Sequence, residues 1–383
     1  MVFGKRADYF MKKINIILDH KADTSITRLA VMYANHLVEK GYNVTVNYPL
    51  FSWYRYELFY QNINENSLKF KILLIKRFVS CALRKEFGWA GEKNYKLSKM
   101  VKLNKYLYKP TKYNISDSDY ILIFQSQLLL DLIDFPENKG EIIDSLHTGN
   151  FLNDSDVREW FLYLTKTACK RVSVKRFASS SRVKAFYAQF DVRVDRVIYN
   201  GIDLIEFKPT QLAEKAYDFL MFSDVKKAKG YDFGVQVIKE LKAQNLKLKF
   251  NSIGRNVQGL DTTSFDNVYK ELKEKDYAEE YGKHLFFLYP SLYDGFPAPP
   301  LEAMASGAVC ILAKVAGVDE YAVDGENCML CEPGNLDEFV NKIKRLLSDP
   351  ELCEKLSQNA ANTAKRFSWD NSTNELIDLM NQK

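Results

Sequence analysis

Apolar residues near the start of the chain follow the period of a helix. Seven of them are spaced i, i+3, i+4, i+7, i+8, i+11 and i+12, as on the buried face of a helix: Ile26, Leu29, Ala30, Tyr33, Ala34, Leu37 and Val38. Short apolar runs at 14–18 and 43–48 flank this segment and are typical of strands. A strand–helix–strand unit of this kind predicts a parallel, doubly wound sheet.

The same alternation of strand and helix restarts in the second half of the chain. Apolar runs at 219–223, 285–289 and 309–313 predict a second parallel sheet. Between the halves, Asn200 and Gly201 form a strong turn signal. We therefore predict two α/β domains that meet at this turn, as the length of 383 residues also favours.

The loop after the run at 285–289 leads into a short helix and carries two acidic residues. Pro299 suits the first turn of this helix, where its missing N–H is not needed, and Gly307 suits the helix end. Asp294 and Glu302 then flank a helix N-terminus whose free N–H groups can hold an anion. This block is the strongest candidate for a binding site.

The block also resembles the corresponding segment of glycosyltransferase family 4. Members of this family are retaining, nucleotide-sugar-dependent enzymes with the GT-B fold. The family phrase is much like PS-x-x-EGFG-x-x-x-LEAMA-x-G, and this chain reads PSLYDGFPAPPLEAMASG, with Asp294 for the first glutamate. The resemblance implies that Glu302 hydrogen-bonds the ribose of the donor nucleotide and that Asp294 faces a hydroxyl of the donor sugar. It also places Gly295, Phe296 and Pro297 at the donor. On the residues alone, Glu302 can equally be a well-placed charge in a first helical turn.

The resemblance extends along the whole chain and implies an α/β protein of three segments, in which two Rossmann-like domains face each other across a cleft. Residues 1–199 are expected to form a Rossmann-like domain that binds the acceptor. Residues 200–366 are expected to form a second Rossmann-like domain that binds the nucleotide sugar. Residues 367–383 are expected to form a helix that crosses back onto the first domain.

The predicted phosphate contacts depart from the family pattern at one position. The family has an arginine and, further on, a lysine that neutralise the donor diphosphate and the leaving group. Lys229 matches the lysine, but Asp224 occupies the arginine position, so we predict that Lys226 or Lys227 substitutes for it. Gly254 resembles a glycine that lets the backbone approach the nucleotide.

Two candidate contacts lie in the first half. His147 follows the apolar run at 141–146, where open α/β sheets bind ligands, and it resembles the family histidine that faces the donor sugar; a structural role is the alternative. The first loop, 19–25, lacks the paired glycines of many family members. Thr24 and Ser25, with the helix N-terminus, are predicted to contact a phosphate or an acceptor hydroxyl.

Positive charge is concentrated in one segment, although the whole chain carries only +5. Residues 69–113 contain thirteen lysines and arginines, two glutamates and several interspersed aromatic residues. This pattern favours contact with an anionic membrane surface, and a solvated helix face is the alternative. No nucleic-acid recognition motif accompanies the charge, so we do not expect a nucleic-acid partner.

The cysteines predict reduced, structural thiols. Six are scattered through the chain, and the pair Cys328 and Cys331 lacks a second Cys/His pair nearby in sequence that would complete a zinc site. Neither a secretory signal nor a run long enough to span a membrane is present in the sequence. We expect a cytoplasmic protein, peripheral on the inner face of the cell membrane.

Together these features predict a retaining hexosyl- or deoxyhexosyltransferase. It would move a sugar from a nucleoside-diphosphate sugar, its co-substrate, to a hydroxyl of a glycan or lipid-linked acceptor in surface polysaccharide or glycolipid synthesis. We expect no cofactor and no metal, since no Asp-x-Asp motif is placed to bind one. The alternatives are a catalytically inactive GT-B scaffold and a nucleotide-sugar epimerase on the same fold.

Overall fold

The first half of the chain forms a parallel sheet of seven strands in the order β3-β2-β1-β4-β5-β6-β7. The computed structural model describes residues 11–19, 25–50, 95–133, 135–136, 139–147, 174–244, 247–254, 257–270, 272 and 274–382, with single positions 68, 71, 72, 75, 76, 79, 89, 91, 159 and 163. The strands are β1 Lys13–Ile17, β2 Asn43–Pro49, β3 Lys102–Tyr106, β4 Tyr120–Ile123, β5 Glu141–Leu146, β6 Lys175–Ala178 and β7 Arg196–Val197.

Helices cover this first sheet. Those within the described part of the first half are α1 Ser25–Glu39, α2 Leu129–Leu132 and α3 Ser181–Ala188. The predicted apolar face of α1 is buried, with Leu29, Tyr33 and Leu37 packed against β1 and β2. The sequence prediction of a strand–helix–strand opening is therefore confirmed.

The second half forms a six-stranded parallel sheet in the order β10-β9-β8-β11-β12-β13. Its strands are β8 Tyr217–Phe222, β9 Phe250–Ile253, β10 Asn267–Tyr269, β11 His284–Tyr289, β12 Val309–Ala313 and β13 Met329–Cys331. Its helices are α4 Tyr231–Ala243, α5 Glu274–Lys283, α6 Ala298–Ala305, α7 Leu336–Ser348 and α8 Pro350–Ala364. The central strands β11 and β12 are almost wholly buried, as expected for a parallel sheet covered on both faces.

A final helix, α9 Trp369–Asn381, returns to the first sheet. The Trp369 ring packs edge-on against Tyr33 of α1 with ring centroids 5.3 Å apart. Ser372 Oγ donates a hydrogen bond of 2.6 Å to the carbonyl of Tyr199. Helix α9 thus joins the core of the N-terminal domain although it follows the C-terminal domain in sequence.

Strand β3 lies within the basic segment 69–113 and forms the edge of the first sheet. Its sequence, KLNKY, carries two lysines and has no clear apolar alternation. An edge strand tolerates such a sequence because one side of it is unpaired, and lysines there oppose edge-to-edge association. Most of residues 69–94, the first part of the basic segment, lie outside the described residues.

The described cysteines are buried free thiols: Cys310, Cys328, Cys331 and Cys353. Burial raises the pKa of both Cys328 and Cys331 to about 12, so neither thiol ionises near neutral pH. This agrees with the prediction of structural thiols for these four; Cys81 and Cys169 fall outside the described residues. Within the described part of the chain, no helix has the length and apolar character needed to cross a membrane.

Candidate active site

Helix α6 and the loop before it carry the two acidic residues of the block. Strand β11 ends before Pro290, and the loop enters α6 with Pro297 in an extended conformation at the N-cap. Gly307, with a φ of +71°, follows the helix in the left-handed conformation that favours glycine. Asp294 therefore precedes the helix and Glu302 lies on it, as the sequence predicts.

Asp294 is held by Lys229 and Tyr289. The Lys229 ammonium forms an ion pair with Asp294 Oδ2, and the Tyr289 hydroxyl donates to the same oxygen at 2.5 Å. Burial and the nearby Asp294 carboxylate raise the pKa of Tyr289 well above its ordinary value, so the phenol stays protonated and remains a donor. The structure thus brings together two predicted catalytic residues and adds Tyr289, which the sequence analysis did not single out.

Gly230 allows the Lys229 turn to reach this carboxylate. Its φ is +67°, and a Cβ there would overlap the carbonyl oxygen of Pro290. The backbone N–H groups of Leu292 and Tyr293 both donate to the Ala228 carbonyl, at 2.8 and 3.1 Å. The turn before α4 is consequently bonded to the loop after β11, which fixes the position of the lysine.

The residues before Lys229 form a polar turn. Asp224 Oδ1 accepts a 2.8 Å hydrogen bond from the backbone N–H of Lys226, so this carboxylate has a local structural role. The side chains of Lys226 and Lys227 are exposed. Gly254, at the end of β9, is buried, and a Cβ there would overlap the carbonyl oxygen of Ser223.

Glu302 is buried and pairs with a residue of the other domain. Arg28 Nη1, on α1, lies 2.7 Å from Glu302 Oε1, and the side chains are 22% and 7% exposed. Burial, and then the Glu302 charge, raise the pKa of the neighbouring Tyr281 well above its ordinary value. Arg28 was not predicted from the sequence: it lies in the first helical turn after the 19–25 loop, but no sequence pattern links it to Glu302.

Phe296 and its neighbours make a second contact between the domains. The Phe296 ring stacks on Tyr199 with centroids 5.4 Å apart. The Ser180 hydroxyl donates to the carbonyl of Gly295 at 3.2 Å, and Tyr321 donates to the carbonyl of Pro297 at 3.1 Å. These three positions hold the loop before α6 in place, and their predicted contact with a donor remains a prediction.

Of the residues predicted to act in the first domain, the structure describes His147 and Ser25. His147 directly follows β5, and its Nε2 lies 2.8 Å from Ser145 Oγ. Among the contacts of the described residues, none joins His147 to Asp294 or Lys229. Ser25 begins α1 with an exposed side chain, and Thr24 falls outside the described residues.

Burial lowers the pKa of His147 from 6.5 to about 4, and this shift makes the free energy of unfolding depend on pH. Between these values the unfolded chain binds a proton that the folded protein does not, so stability falls as the pH drops through this window. We expect the contribution to be about 2–3 kcal/mol at pH 4.5. Urea unfolding at pH 7 and pH 4.5 should show a smaller acid loss for His147→Gln than for wild type. Equal losses would contradict the prediction.

Solved structures share this two-domain arrangement over nearly their whole length. HepE from Anabaena in complex with UDP and glucose aligns with a TM-score of 0.70 and 15% identity, covering 97% of this chain and 100% of that chain. TarM aligns with a TM-score of 0.68 and 12% identity, covering 98% and 99%. The chain has the GT-B fold.

A family match lies within the second GT-B domain. Residues 204–363 match the family described as glycosyl transferases group 1, which supports a glycosyltransferase. An uncharacterized glycosyltransferase of Methanocaldococcus jannaschii is 27% identical over 56% of this chain and 59% of its own length. O-antigen chain mannosyltransferase B of Escherichia coli is 34% identical over 24% of each chain. The aligned part of this chain thus spans less than two thirds of either relative.

Proposed function

We propose that the protein is a retaining glycosyltransferase of family 4. It transfers a sugar from a nucleoside-diphosphate sugar to a hydroxyl of a glycan or lipid-linked acceptor. The observation that carries this proposal is the placement of two carboxylates, one before helix α6 and one on it, where the two domains meet. Asp294 lies beside Lys229 before α6, and Glu302 on α6 faces the other domain, where it meets Arg28.

Each group has a chemical role in this proposal. Glu302 accepts hydrogen bonds from the ribose hydroxyls, and Asp294 accepts one from the donor sugar. The N-terminus of α6, with Lys229, Lys226 and Lys227, stabilises the negative charge that develops on the departing diphosphate. His147 is neutral near pH 7 and orients the sugar as a hydrogen-bonding group. The acceptor attacks on the face that the diphosphate leaves, and a donor phosphate oxygen takes its proton.

The donor and the acceptor class are proposed from chemistry and from the relatives. UDP-glucose is bound by HepE, and the names of several relatives include mannosyltransferase, one of them acting on O-antigen chains. We propose a hexose or deoxyhexose donor and a surface polysaccharide or glycolipid product. Positive side chains and a helix N-terminus take the role that a metal has in other transferases, so no metal or resident cofactor is required.

A donor panel tests the proposal. The purified protein is incubated with UDP-, GDP- and dTDP-sugars in the presence of EDTA, and release of free nucleoside diphosphate is followed. Slow hydrolysis of one donor is the expected result and identifies that donor. If no donor releases nucleoside diphosphate and no nucleotide raises the melting temperature of the protein, the transferase proposal is rejected.

An inactive GT-B scaffold is the second candidate, and two observations favour it. Asp224 stands where the family has an arginine, and the Lys229 charge is already paired with Asp294. A scaffold of this kind gives no donor turnover. If nucleotides stabilise the protein but no donor in the panel is turned over, the scaffold is the better account.

A second part of the proposal is peripheral contact with the inner face of the cell membrane. Four helical residues at the start of the basic segment and directly before it are apolar and between 45% and 72% exposed: Leu68, Ile72, Ile75 and Val79. At about 100° per residue their spacing places them within an arc of about 60°. The exposed Lys71 and Lys76 lie on either side of this apolar stripe. An apolar stripe flanked by lysines fits an anionic lipid surface.

Vesicle sedimentation tests the membrane contact. We expect the protein to bind vesicles that contain phosphatidylglycerol, more weakly at high salt, and the double variant Ile72→Asp, Ile75→Asp to bind at least about tenfold more weakly. Ile205→Asp is the matched control, because Ile205 is 77% exposed on the other domain. Equal binding by the double variant and the control would contradict this part of the proposal.

A further inference from the structure

The Arg28–Glu302 ion pair occupies the carboxylate that the proposed function assigns to the donor ribose. The pair joins α1 of the first domain to α6 of the second at 2.7 Å, and the Glu302 side chain is only 7% exposed. A ribose that hydrogen-bonds this carboxylate must share it with Arg28 or displace the guanidinium. The pair therefore bears directly on how a donor enters the cleft.

The donor-site side chains on the C-terminal side of the cleft have no net positive charge to balance that of a diphosphate. The side chains assigned to the donor, together with the one at the missing arginine position, carry three carboxylates and three ammonium groups: Asp224, Asp294, Glu302, Lys226, Lys227 and Lys229. These charges cancel, and the Lys229 charge is already paired with Asp294. A nucleoside diphosphate brings additional negative charge, so its binding favours one more positive group in the cleft.

Arg28 has the position and chemistry for this role. Glu302 is the fifth residue of α6, so it lies about 6 Å along the helix from the N-terminus where a phosphate group is favoured. The Arg28 guanidinium can donate two parallel hydrogen bonds to a phosphate, which a lysine ammonium cannot do.

We propose that Arg28 is a donor-binding residue that changes partner. In the free protein it pairs with Glu302, and in the complex it contacts the diphosphate while the ribose hydroxyls bind Glu302. This inference rests on the proposed function and assigns to α1 of the first domain the cation that is absent at position 224.

The exchange leaves no buried charge without a partner. Removing one member of a buried ion pair is costly because the other charge remains uncompensated. Here Glu302 receives two hydroxyl donors at the same time as Arg28 receives an anion. A nucleoside without phosphates brings no anion to take the place of Glu302 beside Arg28, so its binding breaks the ion pair without replacing it. The protein should therefore discriminate strongly between a nucleoside diphosphate and its nucleoside.

Paired binding measurements test the exchange. From UDP, GDP, ADP and dTDP, the nucleotide that binds wild type is selected, and the affinities for it and for its nucleoside are measured by calorimetry. For Arg28→Ala we expect weaker binding of the diphosphate and unchanged or tighter binding of the nucleoside. Their affinity ratio should fall about 10- to 100-fold, the range expected for a lost charge-assisted hydrogen bond. Arg28→Lys should restore part of the ratio.

The control is Lys40→Ala: Lys40 directly follows α1 and forms another ion pair, to Asp370 at 2.5 Å and away from Glu302. Its affinity ratio should match that of wild type. If Arg28→Ala does not fold, Arg28→Gln is used with the same criterion. A ratio within threefold of wild type in the folded variant would overturn the exchange and leave the proposed function intact. Absence of binding of all four diphosphates to wild type would overturn both.

Discussion

Glu302→Ala is expected to reduce donor turnover, measured as kcat/KM, by on the order of a hundredfold or more. The variant removes an acceptor for two ribose hydroxyls, and hydrogen bonds to charged groups contribute about 1.5–3 kcal/mol each. It also leaves the Arg28 guanidinium without the carboxylate that it contacts at 2.7 Å. Initial rates of nucleoside diphosphate release, measured over a range of donor concentrations, provide the test.

Two further variants show whether this loss is specific. Glu302→Gln keeps the shape and one acceptor oxygen, so an intermediate loss is expected. Glu351→Ala also removes a carboxylate from a helix of the same domain, but Glu351 lies exposed in the first turn of α8. Its activity should remain at the wild-type value. Full activity in a folded Glu302→Ala protein would remove Glu302 from the donor site.

Trp369→Ala is expected to have the largest effect on stability, a loss of about 3–5 kcal/mol in the free energy of unfolding. Trp369 is 3% exposed and packs against Tyr33, and a Cβ at Gly201 would overlap its backbone. Alanine would open a cavity between α9 and α1 that the close backbone packing at Gly201 cannot easily refill. Urea unfolding followed by circular dichroism measures the loss.

Asp370→Ala is the matched control on the next residue. Asp370 is 63% exposed and forms an ion pair with Lys40, and such exposed pairs contribute about 1 kcal/mol or less. A large loss for Trp369→Ala and a small one for Asp370→Ala would show that α9 acts through buried packing. Similar small losses would mean that the crossover helix is not part of the N-terminal core.

Much of the fold could be predicted because the local pattern and the buried environment agree. The apolar runs that became β11 and β12 are buried on both faces, and the periodic residues of α1 lie on one buried side. Strand β3 was less predictable, because an edge position places few demands on its sequence. The many lysines of residues 69–113 also hide the apolar pattern by which a strand is recognised in a sequence.

The pairing of the site residues could not be predicted from the sequence alone. Arg28 and Glu302 are separated by 274 positions, and only the arrangement of the two domains brings them together. Likewise, no local pattern shows that Lys229 binds Asp294 or that Phe296 stacks on Tyr199. Propensity and periodicity describe each element, whereas these contacts depend on how distant elements pack.

The return of α9 has a consequence for how this chain folds during synthesis. A ribosome makes the first sheet long before it makes Trp369, Leu376 and Leu379, yet these residues belong to the hydrophobic cluster around β1 and α1. Part of the apolar surface of the nascent N-terminal domain therefore stays uncovered while some 170 further residues, from the end of β7 to the start of α9, are synthesised. We expect its final, protease-resistant packing to follow that of the C-terminal domain, reversing the order in which the two are translated.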